Sequence, residues 1–289
     1  MASKVFKYIK ASIPYLILIA ITTPIVLMYT MLFLGSVSRS LYGLIPTEIR
    51  FDNWEFLLSG YIQAPGTLGL EAGRYPNIYT VTFNTFLLAI SVAALEVFIT
   101  SLAGYAISRY NFKGRSEFLT LTLILHSFPS VTLLIAIFYI LNIIGLFDTL
   151  LGVILVKVSL ELPLGIWIMK GFFDGIPWDV EMSALVDGCS RLEAWWKVIM
   201  PNVKGGISSV MIFAFLSGWS EFLFILTFIV STTNWTLSML VNALIGEWRF
   251  VDYGKLAAVS IYYMIPIVIF FLFFQKYLLR ITIASKGAV

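Results

Sequence analysis

The chain has 289 residues, of which 60% are apolar and 12% charged, and its mean hydropathy is +0.93. These values exclude a soluble globular protein and predict an all-α membrane protein. The net charge of +3 comes from basic residues beside apolar segments, which argues against nucleic-acid binding. One cysteine, Cys189, excludes an internal disulfide, and together with the one histidine it is too little for a metal site.

Six apolar stretches are long enough to cross a hydrocarbon layer, which needs about 20 apolar residues. They are residues 13–35, 85–107, 118–141, 150–169, 207–230 and 256–279. The first stretch follows three lysines but exceeds the apolar core of about 7–15 residues that a cleaved signal peptide has. We therefore expect an uncleaved anchor and six transmembrane helices.

The distribution of lysine and arginine predicts the orientation of these helices. With the N-terminus inside, the cytoplasmic segments collect Lys4, Lys7, Lys10, Arg109, Lys113, Arg115, Lys170, Arg191, Lys197, Lys204, Lys276, Arg280 and Lys286. The outside segments collect Arg39, Arg50, Arg74, Arg249 and Lys255, and Lys157 stays in the membrane. Because cytoplasmic loops carry the excess of positive charge, we predict both termini in the cytoplasm of a multi-pass cell-membrane protein.

The chain divides around its two longer outside segments. We expect an N-terminal tail with the first helix (1–35), an extracytoplasmic loop (36–82), a five-helix core (83–280) and a cytoplasmic tail (281–289). Within the first outside segment, residues 49–52 predict a short strand and residues 54–58 a helix, which would make a folded cap; a plain connector is the alternative. The second outside segment, 231–255, carries aromatic residues that either anchor the membrane interface or contact a partner.

Residues 177–201 form a charged, amphipathic segment between the fourth and fifth predicted spans. Apolar residues recur at spacings of three and four, which predicts short helices with one apolar face. Asp179 is the expected N-cap of a first helix, and Asp187 and Gly188 form a turn that ends it. Ser190 and Glu193 have the spacing of a capping box for a second helix. The apolar face must rest on other parts of the protein.

Five ionisable residues lie inside predicted spans, where burial is costly and function is the usual reason. They are Glu96, His126, Lys157, Glu161 and Glu221. Lys157 and Glu161 have the spacing of an ion pair on one helix, and the sequence leaves open whether this pair is structural or lines a substrate path. Glu96 and Glu221 require a partner helix, a water-filled cavity or a distant lysine. His126 precedes a predicted kink at Pro129 and is expected to make a helix-packing hydrogen bond.

No enzyme motif is present in the chain. Residues 204–206 read Lys-Gly-Gly, which has neither the order nor the spacing of a phosphate-binding loop, and there is no nucleophile elbow or zinc-protease motif. We therefore expect no ATP hydrolysis by this chain.

The segment 177–201 resembles the cytoplasmic coupling loop of ABC importer permeases. That loop has the signature Glu-Ala-Ala, three residues, Gly, nine residues, Ile, one residue, Leu-Pro. The matching positions are Met182, Ser183, Ala184, Gly188, Val198, Met200 and Pro201. Met182 stands where the signature has its glutamate, and Glu181 lies one residue earlier, about 100° away around a helix. Residues 163–177 and 218–224, and the tail 286–289, are similar to the maltose-type, carbohydrate-importing branch.

The resemblance implies a six-helix type I importer architecture and a set of partners. These are a second permease subunit, expected to be a different chain, a cytoplasmic ATPase dimer, an extracytoplasmic solute-binding protein and a sugar substrate. No cofactor is expected on this chain, since ATP and Mg²⁺ would bind the ATPase subunits.

The resemblance also implies site residues. The ATPase-coupling residues would be Glu181, Met182, Ser183, Ala184, Leu185, Asp187, Gly188, Val198, Met200 and Pro201. The binding-protein contacts would be Asn234, Trp235 and Trp248. The substrate-path candidates come from the ionisable residues inside the spans and are Glu221, Lys157, Glu161 and Glu96; the resemblance adds only that Glu221 lies in a family-like segment.

Three alternatives stay open from the sequence. An ion-gradient-driven secondary transporter would show related halves or helices interrupted at mid-membrane, and the sequence indicates neither. An integral membrane enzyme would need acids, histidines or hydroxyls clustered near one interface. An ABC permease for a solute other than a sugar has no distinguishing mark in the sequence.

Overall fold

The computed structural model describes residues 2–38, 41–42, 45–46, 48–63, 75–246 and 251–284, and these are predominantly helical. The helices are α1 (Ala2–Ser36), α2 (Phe56–Ser59), α3 (Ile78–Arg109), α4 (Arg115–His126), α5 (Leu134–Ile143), α6 (Leu150–Asp174), α7 (Trp178–Val186), α8 (Arg191–Ala194), α9 (Met200–Asn202), α10 (Lys204–Trp219), α11 (Leu223–Phe228), α12 (Leu237–Ile245) and α13 (Tyr253–Ala284). Short 3₁₀ turns cover Asp52–Trp54, Ser130–Leu133 and Thr232–Asn234, and a π turn covers Trp195–Ile199. Strands β1 (Leu41–Tyr42) and β2 (Ile45–Pro46) form one antiparallel hairpin. The predicted all-α class is confirmed.

Four described helices are long and apolar enough to cross a membrane by themselves. They are Ser12–Ser36 within α1, all of α3, all of α6 and Tyr253–Phe274 within α13. The number rises to six if each of two bent helix pairs counts as one span. One pair joins α4 to Ser130–Ile143 through a bend of 91°, and the other joins Arg191–Asn202 to α10 through a bend of 80°.

The interrupted helices correct one expectation from the sequence. The third predicted span bends at the proline that follows His126, as the kink at Pro129 predicts. The fifth predicted span is also discontinuous, because α10 ends at Trp219 and α11 begins at Leu223. The inference that no spanning helix is interrupted is therefore wrong. A three-residue break without helical periodicity cannot be recognised within an apolar run.

The chain divides into two compact units, one with the residues up to Tyr75 and Val241–Pro266, the other with Pro76–Leu240 and the residues from Ile267 onward. In the first unit the described residues 48–63, which belong to the predicted extracytoplasmic loop, form a folded cap on the end of α1. The Asn53 amide donates to the carbonyls of Ser36 and Ser38, both at 3.1 Å. The predicted strand at 49–52 is wrong, since Ile49 makes an isolated bridge, while the predicted helix is a 3₁₀ turn followed by α2.

The core of the second unit is α3 packed against α6 and α10. Glycines allow the close approach of these helices. A Cβ on Gly104 would lie 2.8 Å from Met169 Cβ, and one on Gly218 would lie 2.9 Å from Ala89 Cα. Residues such as Leu88 and Trp219 are fully buried between the three helices.

The contact at Gly104 generates a stability prediction. Gly104→Val places a branched side chain against the α6 backbone, and overpacking of this kind costs about 1–3 kcal/mol. We expect a lower midpoint of thermal unfolding in detergent. Gly171→Val is the matched control, because a Cβ at Gly171 in α6 meets nothing within 4 Å. Equal midpoints for the two variants would show that α3 and α6 do not approach closely here.

Candidate functional site

Residues 177–201, called the knob below, fold as two short helices about a glycine. α7 ends before Asp187, and Gly188 has a φ of +90°, a conformation that favours glycine. The backbone N–H of Glu193 donates to Ser190 Oγ at 3.3 Å, and the N–H of Ser190 donates to Glu193 Oε2 at 2.9 Å. The predicted capping box and glycine turn are confirmed.

The predicted start of the first helix needs a correction. α7 begins at Trp178 with Pro177 in the N-cap position, and no side chain caps it. Asp179 therefore lies in the first helical turn and not at the N-cap. A proline fits this boundary because it lacks the N–H that a continuing helix would use, and an acid in the first turn is favourable next to the positive end of the helix dipole.

The inner face of the knob rests on the helical core. Trp195 and Ile199 of the knob, and Val203 just after it, are buried in one apolar cluster with residues of α3, α6 and α10. The core members of this cluster are Tyr105, Met169, Phe173 and Val210. Fully burying an aliphatic or aromatic side chain contributes about 1.5–3 kcal/mol, so these contacts hold the knob firmly on the spans.

Glu181 anchors the knob to the end of α3. Its side chain is 0% exposed, and Tyr105 Oη donates to its Oε1 at 2.6 Å. Arg109 Nε lies 2.9 Å from its Oε2, an ion pair in which the N–H is not aligned as a hydrogen bond. Arg109 also donates to the carbonyl of Ile176 at 3.0 Å and lies over the Trp178 ring. A buried charge requires this kind of compensation, so the acid at position 181 points inward.

The outer face of the knob exposes several large apolar side chains among charged ones. The exposed apolar side chains are Trp178, Val186, Leu192 and Trp196, and that of Val186 is 85% exposed. The exposed charged residues are Asp179, Asp187, Arg191, Glu193 and Lys197. Several large apolar side chains exposed on one short segment are consistent with an interaction site.

The ten predicted coupling residues divide between the two faces of the knob. Ser183, Asp187, Gly188 and Pro201 are exposed; Met182, Leu185, Val198 and Met200 are half-buried; Glu181 and Ala184 are buried. The two buried residues can act on a docked partner only through the residues that they position.

A charged cluster lies among the spanning helices. Lys157 Nζ is 3.0 Å from Glu161 Oε1 and 2.7 Å from Glu221 Oε2. The predicted pair of Lys157 and Glu161 is confirmed, and the distant lysine that Glu221 requires is the same one. Ser217 of α10 donates a hydrogen bond to Glu161 Oε1. One ammonium group therefore ties α6 to the segment between α10 and α11.

Glu96 of α3 borders this cluster. Its side chain is buried beside Glu161, and its Oε2 has no hydrogen-bond partner. A Cβ on Gly165 of α6 would lie 2.7 Å from Glu96 Oε1, so glycine makes room for the carboxyl group. All four predicted substrate-path residues are thus brought together. In the part of the chain that the structure describes, no group of three or more His, Cys, Asp or Glu residues could hold a metal ion.

Glu221 also holds the break between α10 and α11. Its Oε1 accepts the backbone N–H of Phe224 at 2.9 Å, which satisfies a free donor at the start of α11. Its carbonyl accepts the hydroxyl of Ser238 at 2.6 Å. The polar groups of the broken helix are therefore satisfied inside the protein, as a hydrocarbon environment requires.

His126 makes the helix-packing contact expected from the sequence. Its Nδ1 lies 3.1 Å from the carbonyl of Leu160 in α6. Trp167 of α6 donates to the carbonyl of Leu119 in α4 at 3.3 Å. The two contacts hold α4 against α6 beside the bend of the third span.

Asp148 holds the segment that follows α11, which is predicted to lie outside. It has a φ of +58° and accepts the backbone N–H groups of Val230 and Ser231 at 2.8 and 2.9 Å, as well as the Ser231 hydroxyl. Its carbonyl accepts the Asn234 amide at 2.7 Å. Burial alone would raise the pKa of the Asp148 carboxyl, but the hydrogen bonds from Ser231 and Val230 lower that pKa below its ordinary value.

The three predicted binding-protein contacts have different environments. Asn234 is half-buried and uses its amide within the chain, and Trp235 is 8% exposed, so its ring has little surface to offer a partner in this conformation. Trp248 lies outside the described residues. Sequence reasoning missed the roles of Tyr105, Arg109 and Asp148. The signal for Tyr105 and Arg109 was an acid on the inward face of α7, which needs buried partners. The signal for Asp148 was its place just before a predicted span.

The charged cluster generates a stability prediction. Lys157→Met leaves Glu161 and Glu221 without their cation, and breaking a buried pair in this way costs about 3–5 kcal/mol. We expect a strongly lowered thermal midpoint in detergent, recovered in large part when Glu161→Gln and Glu221→Gln are added.

The matched control for this cluster is Lys197→Met. Lys197 forms an i,i+4 pair with Glu193, and the two side chains are 61% and 48% exposed. Exposed pairs contribute about 0–1 kcal/mol, so the midpoint should change little. A triple variant as unstable as Lys157→Met alone would contradict the mutual neutralisation.

Comparisons with known proteins agree on one family. Residues 96–282 match the family described as binding-protein-dependent transport system inner membrane component. The chain is 33% identical over 207 residues to a sulfoquinovosyl glycerol transport system permease protein of Agrobacterium fabrum, which covers 72% of each chain. It is 30% identical over 234 residues to a trehalose transport system permease protein of Mycobacterium tuberculosis, which covers 81% of this chain and 80% of that one.

A solved structure shares the fold. It is a bacterial ABC transporter involved in the import of the acidic polysaccharide alginate, with a TM-score of 0.75 at 18% identity over 96% of this chain and 98% of that chain. The family match and the several apolar helices long enough to span a membrane both indicate a multi-pass membrane protein. The chain is a multi-pass membrane protein and belongs to the binding-protein-dependent transport system inner membrane component family.

Proposed function

We propose that this chain is the permease subunit of an ATP-driven importer for a sugar or oligosaccharide and that it forms half of the translocation pore. The observation that carries the proposal is the two-faced knob, whose buried inner face is fixed to three spanning helices and whose outer face exposes apolar side chains. Relatives that transport sulfoquinovosyl glycerol and trehalose support a carbohydrate substrate. Four ionisable side chains among the spans provide a polar lining for such a path.

The knob would dock on a cytoplasmic ATPase. Its exposed apolar side chains fit an apolar cleft, and burying them there would bring the two proteins together. ATP and Mg²⁺ would bind that ATPase dimer, and this permease would carry no catalytic site. Closure of the dimer would move the knob and its three helices, which would switch the pore from inward-open to outward-open. A second, different permease would complete the pore, and an outside binding protein would deliver the sugar.

The family argues against the two rivals from other classes. Secondary transporters also contain interrupted helices, so the breaks at 126–130 and 220–222 are compatible with either kind of transporter. Binding-protein dependence, which the family description states, favours the ATP-driven importer. An integral membrane enzyme would need a reactive group facing a substrate cavity. Here the carboxylates of Glu161 and Glu221 are paired with Lys157.

Gly188 provides the test of coupling. A valine with a φ of +90° costs roughly 1–2 kcal/mol, too little to unfold the protein but enough to change the angle between α7 and α8. We expect Gly188→Val to leave the protein abundant, to reduce uptake from a panel of labelled disaccharides and oligosaccharides at least tenfold, and to reduce the co-purified ATPase.

The control for coupling is Gly145→Val. Gly145 has a φ of +71°, and like Gly188 it has nothing within 4 Å of an added Cβ, but it lies between α5 and α6 and outside the knob. Gly145→Val should therefore have similar backbone strain, while sugar uptake and the amount of co-purified ATPase stay at the level of the parent protein. Normal uptake and ATPase in Gly188→Val would end the coupling proposal.

The orientation can be tested by cysteine labelling in intact cells, with Cys189→Ser as the background. Leu58 is 90% exposed in the cap, and Lys197 is an exposed residue of the knob. With thirteen basic residues on the predicted inner side against five outside, Leu58→Cys should react with an impermeant thiol reagent and Lys197→Cys should not. Labelling of Lys197→Cys from outside would reverse the orientation and remove the knob from the ATPase side.

A further inference from the structure

α3 is fastened to a different loop near each of its ends. At one end Tyr105 and Arg109 hold Glu181 of the knob. At the other end the Asn84 amide donates to the carbonyls of Thr233 and Trp235 at 2.8 and 2.9 Å.

A second contact reinforces the outer end of α3. Thr85 Oγ1 accepts the backbone N–H of Leu237 at 2.9 Å and donates to the carbonyl of Val81 in its own helix. Asn84 and Thr85 are buried, so neither contact is weakened by competing water.

α3 is long and uninterrupted. Thr85 and Tyr105 are about 30 Å apart at a rise of 1.5 Å per residue, which is the thickness of a hydrocarbon layer. The helix is continuous from Ile78 to Arg109 and contains no proline. The three other long helices of the described chain, α1, α6 and α13, each contain proline, which removes a hydrogen bond from the helix and allows it to bend.

We propose that α3 acts as a rigid rod that carries movement of the knob to the outside segment 233–237. Tyr105 and Arg109 are the positioning residues at its inner end, and Asn84 and Thr85 are those at its outer end. The proposal rests on the proposed function, because the knob must receive its movement from the ATPase. It adds the identity of the responding helix and of the outside segment that follows it. That segment would then change its position when the ATPase closes, at the face where the binding protein docks.

A competing route runs along α6. Asp148, two residues before α6, binds the backbone of Val230 and Ser231, and α6 leads into the knob. Pro163 interrupts the hydrogen bonding within α6, so this helix is the more flexible connection. The side-chain contacts of the two routes can be removed separately, because Thr85 binds Leu237 and the Asp148 carboxylate binds Val230 and Ser231. The backbone carbonyl of Asp148 also accepts the Asn234 amide, and this contact remains in Asp148→Ala.

The test uses the full complex of both permeases, ATPase and binding protein, purified and reconstituted in lipid nanodiscs. A nitroxide on Thr232→Cys, in a Cys189→Ser background, reports on the outside segment, and ATP hydrolysis reports on docking of the knob. Mg-ATP with vanadate is the probe that closes the ATPase. Asn84→Leu and Thr85→Val remove the outer contacts of α3, and Tyr105→Phe removes the hydroxyl that binds Glu181. Asp148→Ala removes the carboxylate contacts of the α6 route.

Thr100→Val is the matched control for Thr85→Val. Thr100 lies in α3 and is also buried, but its hydroxyl donates to the carbonyl of Glu96 in the same helix. It therefore loses a hydroxyl without losing a contact to an outside loop.

We expect Mg-ATP with vanadate to change the spectrum of the nitroxide label in the parent complex and in Thr100→Val and Asp148→Ala. The change should fall at least twofold in Asn84→Leu, Thr85→Val and Tyr105→Phe, while ATP hydrolysis continues. Three outcomes would contradict the role of α3. The first is an unchanged response in Asn84→Leu and Thr85→Val, and the second is a response lost only in Asp148→Ala. The third is a label that does not respond in a parent complex that hydrolyses ATP. A parent complex without bound, active ATPase would instead overturn the proposed function and the rod with it.

Discussion

The structure depends on one constraint: polar groups within a hydrocarbon layer must be satisfied by the protein itself. The charged cluster around Lys157 meets this constraint by pairing one ammonium group with Glu161 and Glu221. The break between α10 and α11 meets it by using the Glu221 carboxylate as an acceptor for a free backbone N–H. The same residue therefore neutralises a charge and stabilises an irregular backbone, which is why a discontinuous helix is tolerated inside an otherwise apolar protein.

The knob extends this logic to the end of the membrane-spanning core. Glu181 could not be buried without Tyr105 and Arg109, and burying it fixes α7 to the last turn of α3. The apolar residues of the inner face add packing against α6 and α10, so the knob and the spans form one mechanical piece. The exposed residues of the knob are left accessible to a partner. Under the proposed function, anchoring and docking would thus be performed by different faces of one short segment.

The departure at positions 181 and 182 has a structural explanation in this chain. An acid at position 181 faces α3, and the half-buried Met182 does not compete for that space. The carboxylate of Glu181 holds the knob against α3. Under the proposed function, docking would then rely on the exposed residues of the knob and on the angle that Gly188 sets between the two helices.

The sequence alone determined what local and compositional rules control. Composition and the length of the apolar stretches predicted a helical, multi-span protein. The spacing of Ser190, Glu193 and Gly188 predicted the turn and the capping box, because those interactions join residues that are close in the sequence. The pairing of Lys157 with Glu161 was predictable for the same reason.

Only the tertiary structure decided contacts between residues far apart in the chain. The partner of Glu181 lies 72 residues earlier at Arg109, and that of Glu221 lies 64 residues earlier at Lys157. No periodicity links such positions, since the packing of α3, α6 and α10 brings them together. The break at 220–222 was invisible for a related reason: hydropathy measures how apolar a run is, whereas the path of its backbone depends on the neighbours that satisfy it.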